Sequence, residues 1–222
     1  MSHEKNIVKK PWGYEYLMYE NDKVALWFLH IKSGERTSMH CHPNKTTGLA
    51  LLDGEVEVSF LSDTNKLTPL SKIMIRKGLF HSTRATSEDG AYVLEIETPV
   101  DKQDLGRFQD SYGRQGKPYE DSTFEYPKED ECVWLMEPPK GDTIEYEVGN
   151  SILQLHNITG VEFFSNLGDE KNVMFLKGGI LTDYGINVAA AGDVVNASVL
   201  KKLIKVFSKI ENNTTIMIMD KK

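Results

Sequence analysis

The chain is poor in cysteine, has no long apolar run and carries no surplus of basic residues. Cys41 and Cys132 are the only cysteines in 222 residues, too few for a disulfide framework, so we expect a protein of the reducing cytoplasm. No apolar run is long enough to cross a bilayer, and the first ten residues lack the apolar core of a signal peptide. We therefore expect no membrane role.

The formal net charge of −7 argues against a nucleic-acid partner, because nonspecific DNA or RNA binding needs a basic face. It does not argue against a small anionic ligand, whose binding depends on a local cluster of Lys and Arg. The length of 222 residues allows one large or two small domains with a buried core.

Short apolar runs recur between turn residues, such as TGLALL, VEVSFL, YVLEIE and TIMIMD. Many short strands at this spacing predict a β-sandwich or barrel. The clearest helix candidate is NASVLKKLIKVFSKIENN at 196–213, where apolar residues from Val199 to Phe207 fall on one face after an Asn or Ser cap. Residues 101–141 are dense in Gly, Pro, Asp and Arg, and we interpret them as a connector between two β-units.

Two histidines, His40 and His42, stand one residue apart in a predicted strand. Alternate side chains of a strand face the same way, so both imidazoles point to one side and Cys41 to the other. His81, three residues after Gly78, can add a third imidazole from another strand. Three neutral imidazoles with open positions form a catalytic type of metal site.

An exposed histidine pair is the alternative interpretation of His40 and His42, and the glycine spacing around them favours the metal site. We expect one divalent metal ion. Its identity stays open among zinc, iron, manganese and nickel, because imidazole suits several of these ions.

The spacing of Gly34, His40, His42 and Gly54 resembles the first motif of the cupin superfamily, G-x5-H-x-H followed by a distant Gly. Cupins usually have Glu as a further metal ligand between the histidines and that glycine, and this chain has Thr47 there. Without this carboxylate, the ion would lack one negatively charged ligand, and no glutamate at this position could act as a base.

Gly78 and His81 resemble part of the second cupin motif. Leu70, Arg76 and Ala85 replace the Gly, Pro and Asn that the family usually has. The resemblance implies a jelly-roll β-barrel with the metal inside its mouth.

Two further segments, KPWGYEYL at 10–17 and LEIETPVDKQDLGRFQDSYGR at 94–114, resemble one cupin subfamily. This subfamily is the type II mannose-6-phosphate isomerases, including the C-terminal domain of bifunctional mannose-1-phosphate guanylyltransferases. The resemblance covers residues 10–114 and implies a sugar-phosphate ligand and aldose–ketose isomerisation.

Such an isomerisation moves a proton between C1 and C2 through an enediol. A divalent ion polarises the carbonyl and stabilises the oxyanion, and a nearby carboxylate or histidine carries the proton. Glu95 is the first candidate, from the strand pattern and the family match together. Glu97 shares its face by alternation and is the second. Either one is equally explained as a solvated carboxylate at a sheet edge.

A phosphate group needs fixed cations or backbone N–H donors. The candidates for substrate binding are Lys10, Arg84, Arg107 and Arg114. A structural salt bridge is the alternative role for each of them, and the charged residues of 104–114 are also explained as ion pairs that hold the connector in place.

The second half repeats the outline of a barrel, with glycines that match those of the two motifs. Setting Gly178 against Gly54 places Phe164 and Asn166 at the positions of His40 and His42, and setting Gly192 against Gly78 places Val195 at that of His81. We therefore predict an all-β protein of two cupin-type jelly-roll barrels with a short C-terminal helix. Residues 1–115 are the metal-binding barrel, and residues 116–222 are a connector plus a degenerate barrel without metal ligands.

Three functions stay open. The first is a metal-dependent sugar-phosphate isomerase in nucleotide-sugar or surface-polysaccharide precursor supply. The second is a mononuclear non-heme iron dioxygenase with a three-histidine site, and the third is a non-catalytic sugar-binding cupin. We expect a small-molecule sugar phosphate as the ligand and a homodimer as the assembly.

Overall fold

The computed structural model describes residues 7–114 and 132–222. The chain divides into two compact units, Met1–Trp134 and Leu135–Lys222. The predicted boundary between residues 115 and 116 lies outside the described residues, as does the middle of the predicted connector. Within the two described ranges, no helix has the length and apolar character that a membrane span requires.

The N-terminal unit consists of two antiparallel sheets, with the strand orders β1-β2-β3-β10-β5-β8 and β11-β4-β9-β6-β7. Its strands are β1 (Ile7–Lys10), β2 (Gly13–Glu20), β3 (Ala25–Ile31), β4 (Met39–Cys41), β5 (Thr46–Asp53), β6 (Val56–Phe60), β7 (Thr64–Leu67), β8 (Lys72–Ile75), β9 (His81–Ala85), β10 (Ala91–Thr98) and β11 (Gly106–Gln109).

The eight strands from β3 to β10 pair in the order of a jelly roll. Counted from β3, one sheet has the order 1-8-3-6 and the other 2-7-4-5, which is the arrangement of two Greek keys wound together. Strands β1 and β2 extend the first sheet beside β3, and β11 extends the second beside β4.

The inner faces of this barrel are apolar at one end and polar at the other. Leu49 and Leu51 of β5 and Val93 of β10 belong to the buried core cluster, and alternation along β10 places Glu95 and Glu97 on the same face as Val93. One end of the barrel is therefore packed core, and the other end is open to polar chemistry.

The C-terminal unit consists of two smaller antiparallel sheets, β12-β13-β19-β14-β17 and β16-β15-β18. It also contains a 3₁₀ helix, Val161–Asn166, and one α-helix, α1, Ala197–Leu203. Its strands are β12 (Thr143–Val148), β13 (Ser151–Ile158), β14 (Asn172–Lys177), β15 (Gly179–Leu181), β16 (Asn187–Ala190), β17 (Val194–Asn196), β18 (Lys209–Ile210) and β19 (Thr214–Lys221).

The C-terminal unit has the same strand order as the first barrel, with one strand missing. Strands β13-β19-β14-β17 repeat the order 1-8-3-6, and β18-β15-β16 repeat 7-4-5. The 3₁₀ helix stands in the chain where the second strand of the jelly roll is expected, and its Phe164 is fully buried in the core cluster. The predicted all-β fold with a short helix is confirmed.

Two details of the predicted second half were wrong. Gly192 lies before β17, the strand that takes the place of β8, whereas Gly78 lies after β8. Val195 therefore does not correspond to His81, because β18 takes the place of β9. The glycine spacing misled the alignment because tight turns at different corners of a barrel both use glycine.

The predicted helix is also shorter than the periodicity over 196–213 indicates. Asn196 is the N-cap, as predicted, and its side chain accepts a hydrogen bond from the Ser198 N–H. Only Ala197 and Leu200 of α1 are buried, and Val199 is 44% exposed. The helix ends early, and the chain then turns to form β18.

Gly54 occupies a tight turn between β5 and β6 that no other residue fits without strain. Its φ is +81°, and a Cβ there would lie 2.3 Å from the Gly90 carbonyl oxygen. Gly34 has a similar φ of +75° but nothing within 4 Å of such a Cβ. Comparing substitutions at Gly54 and Gly34 therefore separates the destabilisation caused by a positive φ from the destabilisation caused by a steric clash.

We expect Gly54→Ala to lower the free energy of unfolding of the N-terminal unit by about 3 kcal/mol, since a steric clash adds to the strained φ. Gly34→Ala should lower it by about 1 kcal/mol, from φ alone. All three tryptophans of the chain lie within Met1–Trp134, so tryptophan fluorescence during urea denaturation measures this unit. Equal losses for the two variants would contradict the steric explanation.

Candidate metal centre

The three predicted histidine ligands meet at the polar end of the N-terminal barrel. His40 of β4 and His81 of β9 are register partners across the second sheet, and His42 follows β4 directly. Together with Glu95 of β10, they offer one ligand atom each within 4.8 Å of one another. Zinc ligands lie about 2.0–2.2 Å from the ion, so this group encloses a space of the size that one ion needs.

Hydrogen bonds to backbone carbonyls fix the tautomer of each imidazole. Nδ1 of His40 lies 2.8 Å from the Ser38 carbonyl oxygen, and Nδ1 of His81 lies 3.0 Å from that of Leu79. Nδ1 of His42 lies 2.6 Å from the Asp104 carbonyl oxygen. A carbonyl only accepts, so Nδ1 carries the proton and Nε2 keeps its lone pair for a cation.

Two of the three Nε2 atoms also lack hydrogen-bond partners, which fits a cation. Nε2 of His42 and Nε2 of His81 are buried and have no hydrogen-bond partner among the described residues. Buried polar atoms are nearly always paired, so two such atoms facing one space indicate that a ligand completes them. The donor set of three imidazoles and one carboxylate suits a divalent transition metal.

Burial keeps these imidazoles in the neutral form that binds metals. Burial, together with His81 and His42, lowers the pKa of His40 well below its ordinary value. Burial also lowers the pKa of His42 and lowers that of His81 to about 4. At neutral pH the three rings therefore need lose no proton before they coordinate an ion.

Glu95 supplies the carboxylate that the cupin resemblance lacks at Thr47. Thr47 lies on β5 opposite Glu97 of β10, and its buried hydroxyl has no hydrogen-bond partner among the described residues. Burial raises the pKa of Glu95 to about 8, and Glu97 and Glu15 add to the shift by repulsion. A cation in the group would compensate this negative charge.

Glu95 was predicted as a proton carrier, and its place among the candidate ligands was missed. The expected position for the fourth ligand was on β5, whereas the carboxylate comes from the neighbouring strand. The alternation that places Glu95 and Glu97 inside the barrel was the available signal.

Asp104 holds both His42 and the turn that follows it. Its carboxylate accepts hydrogen bonds from the backbone N–H groups of Asn44 and Lys45, each at 2.9 Å, and from the Asn44 side chain at 3.0 Å. Burial raises its pKa, but these hydrogen bonds outweigh burial and lower the pKa below the ordinary value. In the sequence analysis Asp104 was one of the charged residues that ion pairing in the connector would explain, and the structure shows that its carbonyl contacts a candidate ligand while its carboxylate holds the turn at Asn44 and Lys45.

Lys45 and Glu97 form a buried ion pair beside the histidines. The Lys45 Nζ lies 2.6 Å from Glu97 Oε1, and the two side chains are 1% and 7% exposed. Glu97 Oε1 also lies 3.7 Å from His42 Nε2, and Glu95 Oε1 lies 3.9 Å from the same atom. Two carboxylates therefore adjoin one imidazole, and one of them has its own buried cation.

An open pocket adjoins this group, and its space outside the protein atoms, with the solvent at its mouth included, is about 550 Å³. The charged residues in its lining have an excess of cations, although the whole chain carries a net charge of −7. The cationic residues are Lys10, Lys45, Lys102, Arg107 and Arg114, and the acidic residues are Glu15, Glu95 and Glu97.

Three of the four predicted substrate-binding residues, Lys10, Arg107 and Arg114, therefore line the cavity. Arg84 does not line it. It stands three positions after His81 on β9, so its side chain points to the other face of the sheet, where its Nε lies 3.3 Å from the Gly34 carbonyl oxygen.

The cavity also contains residues that sequence reasoning missed, namely Glu15, Lys45 and Lys102. No motif marks Lys45 or Lys102, and both lie outside the strands. Glu15 was part of the matched KPWGYEYL segment but was given no role.

No protein-family model matches the chain, and no curated protein matches it. Solved structures that resemble it include cupin-superfamily proteins. KdgF from Halomonas sp. is 14% identical with a TM-score of 0.41, covering 43% of this chain and 89% of its own. A cupin-superfamily sugar phosphate isomerase from Silicibacter pomeroyi is 11% identical with a TM-score of 0.37, covering 39% and 59%. A double-stranded β-helix protein from Klebsiella pneumoniae is 14% identical with a TM-score of 0.39, covering 45% and 88%. Likeness at this level carries no argument about function.

Substitution of His40, His42 or His81 by Ala should each lower the metal content of the purified protein, because each removes one Nε2 donor from the group. Elemental analysis measures this content directly. His30→Gln is the matched control, since His30 packs between the rings of Tyr14 and Tyr92, away from the group. Unchanged occupancy in any of the three Ala variants would remove that residue from the ligand set.

Asp104→Ala keeps the backbone carbonyl that His42 contacts but removes the carboxylate that holds the turn at Asn44 and Lys45. It should weaken Zn²⁺ binding by about tenfold, the low end of the 10–100-fold that loss of an outer partner typically costs, because the segment that orients His42 is loosened. Titration of metal-free protein in the presence of a competing chelator measures the affinity. Asp110→Ala is the control, because the Asp110 carboxylate binds Arg114 rather than the turn after His42. Equal losses in both variants would mean that the segment acts only through general stability.

Proposed function

We propose that the protein is a metal-dependent sugar-phosphate isomerase that interconverts an aldose and a ketose, as the resemblance to type II mannose-6-phosphate isomerases implies. Its product would enter nucleotide-sugar or surface-polysaccharide precursor supply. One observation carries the proposal: a single cavity is lined by three of the four candidate metal ligands, by the adjacent carboxylates of Glu95 and Glu97, and by an excess of cationic side chains.

His40, His42, His81 and Glu95 would hold the ion. A divalent ion bound there would supply a Lewis acid that polarises the sugar carbonyl. The chain's own residues then orient the sugar, bind its phosphate and move the proton between C1 and C2.

Glu97 is the residue that we propose to move the proton, with Glu95 as a ligand. Both face the cavity from β10, but an oxygen of Glu95 belongs to the group of ligand atoms. Glu97 instead accepts a hydrogen bond from Lys45, and a carboxylate oriented by a buried ammonium is held in one position for proton transfer. The sequence analysis gave Glu95 as the first candidate for the proton carrier and Glu97 as the second, and here we propose the reverse order.

The guanidinium groups of Arg107 and Arg114 and the ammonium of Lys10 favour an anionic substrate. Arg114 is held rigidly, since its Nη2 donates to Asp110 Oδ1 at 2.6 Å. A side chain fixed in this way loses little entropy on binding. A cationic lining around a metal group suits a phosphate ester better than a neutral sugar.

The dioxygenase alternative started from a three-histidine site without a carboxylate. Glu95 joins the histidines in the structure, so that reason no longer favours it. Tight ligand binding without turnover would instead favour the non-catalytic sugar-binding cupin. The sugar-phosphate ligand is part of this proposal, and the homodimer stays a prediction.

A screen of hexose and heptose phosphates for ketose formation by metal-loaded protein tests the proposal. Glu97→Gln should lower kcat by about 10²–10⁴-fold, the usual contribution of a general acid–base group, with unchanged metal content. Glu95→Gln should lower both kcat and metal content, since it alters a ligand. Gln keeps the size of the side chain and still accepts the Lys45 hydrogen bond. If no sugar phosphate is turned over by the metal-loaded wild type, the isomerase proposal fails.

A further inference from the structure

Thr47 carries a buried hydroxyl on the inner face of β5, close to the candidate metal group. It is the register partner of Glu97 on β10, and alternation along β5 places it on the same face as Leu49 and Leu51, which belong to the core cluster. The residue is 1% exposed. Its side chain therefore points into the barrel, at the end where the packed core gives way to polar side chains.

The Thr47 hydroxyl has no hydrogen-bond partner among the described residues. A hydroxyl can donate one hydrogen bond and accept two, and buried polar atoms are nearly always paired. Nε2 of His42 and Nε2 of His81 share this condition, and an ion would complete them. Imidazole and carboxylate are the donors that such an ion prefers, whereas a hydroxyl suits a hydrogen bond to an oxygen atom.

The two strands beside β5 do not supply that oxygen. On the β8 side, the register partner of Thr47 is Ile75, an apolar residue of the core cluster. On the β10 side, Glu97 accepts a hydrogen bond from Lys45 at 2.6 Å and none from Thr47. A bound molecule is therefore the partner that fits the hydroxyl.

An oxygen bound at Thr47 would lie near both carboxylates of β10. Register partners on one face of a sheet have Cβ atoms about 4.5–5.5 Å apart, and diagonal neighbours are about 7–8 Å apart. Glu97 is the register partner of Thr47, and Glu95, the partner of Leu49, is its diagonal neighbour. The carbon atom that carries such an oxygen would then adjoin Glu97, the proposed proton carrier.

We propose that Thr47 is a substrate-orienting residue, whose hydroxyl forms a hydrogen bond with the oxygen on C1 or C2 of the sugar and so holds the reacting carbons beside Glu97. The inference rests on the proposed function, because it names how the same cavity orients its substrate. Thr47 takes no part in a covalent step. A site that is built to hydrogen-bond a substrate oxygen discriminates strongly against a compound that lacks it, because the buried polar group is then left unpaired.

Acetohydroxamate is the probe, because its two oxygens lie on adjacent atoms of one plane, as those of an enediol do. Isothermal titration calorimetry of the full-length, metal-loaded protein measures its affinity. Thr47→Val keeps the shape without the hydroxyl and should bind the probe about tenfold more weakly, since loss of one hydrogen bond changes affinity by that order. Thr47→Ser keeps the hydroxyl and should restore most of the loss. Metal content should be unchanged in both variants, because Thr47 is not part of the candidate ligand group.

Thr215→Val is the matched control. Thr215 lies on β19 of the C-terminal unit, is fully buried, and its hydroxyl also has no hydrogen-bond partner among the described residues. The substitution removes the same group at the same degree of burial, and it should leave the affinity for acetohydroxamate unchanged. Both Val variants should keep the wild-type melting temperature, since neither loses a hydrogen bond within the described structure.

Unchanged probe affinity in Thr47→Val, or an equal loss in Thr215→Val, would overturn the role of Thr47. A lower melting temperature in Thr47→Val would indicate a structural hydrogen bond and would also overturn it. A metal-loaded wild type that does not bind acetohydroxamate would do the same, because the space beside Thr47 would not admit two adjacent oxygens. The expected pattern without turnover of any sugar phosphate would retain the orienting role and reject the isomerase. Turnover with unchanged probe affinity in Thr47→Val would do the reverse.

Discussion

Three imidazole rings converge inside the N-terminal barrel, and each has its Nδ1 atom engaged with a backbone carbonyl. The Ser38 and Leu79 carbonyls belong to the same short segments as His40 and His81, whereas the Asp104 carbonyl comes from the segment after β10. The lone pairs of Nε2 are thereby directed into one space, where those of His42 and His81 are buried without a hydrogen-bond partner among the described residues. The chemistry of the cavity depends on this orientation, because a freely rotating imidazole would find water instead.

The C-terminal unit shows that the strand order alone does not make such a site. It repeats the jelly-roll order, but a 3₁₀ helix stands where the chain of the first barrel forms β4, and the buried ring of Phe164 replaces a polar ligand with apolar packing. Among the described residues of this unit, no group of His, Cys, Asp or Glu is close enough to hold an ion. One architecture therefore accommodates a polar interior or a packed one, according to which side chains alternate inward.

Local patterns predicted the features that depend on local geometry. The alternation of His40 and His42 and the glycine turns at Gly54 and Gly78 set strand faces and strand ends, so the β-fold and the histidine ligands followed from them. Lys45 and Lys102 could not be found in this way, because loops bring them to the cavity and only tertiary packing decides where a loop lies. The assignment of Val195 was wrong for a related reason. A glycine marks a tight turn without saying which corner of the barrel the turn occupies.

The charged groups that line the cavity interact electrostatically with one another. The buried carboxylates of Glu95 and Glu97 repel each other, and Glu15 adds to that repulsion, so a cation among the histidines stabilises all three. An anion bound in the same cavity would in turn be attracted by that cation across an interior of low polarity. Binding linkage is reciprocal, so an ion that strengthens the binding of the anion is itself held more tightly when the anion is present. Metal affinity and the affinity for an anion would then be linked in this barrel, because the buried carboxylates adjoin both the histidines and the cationic lining of the cavity.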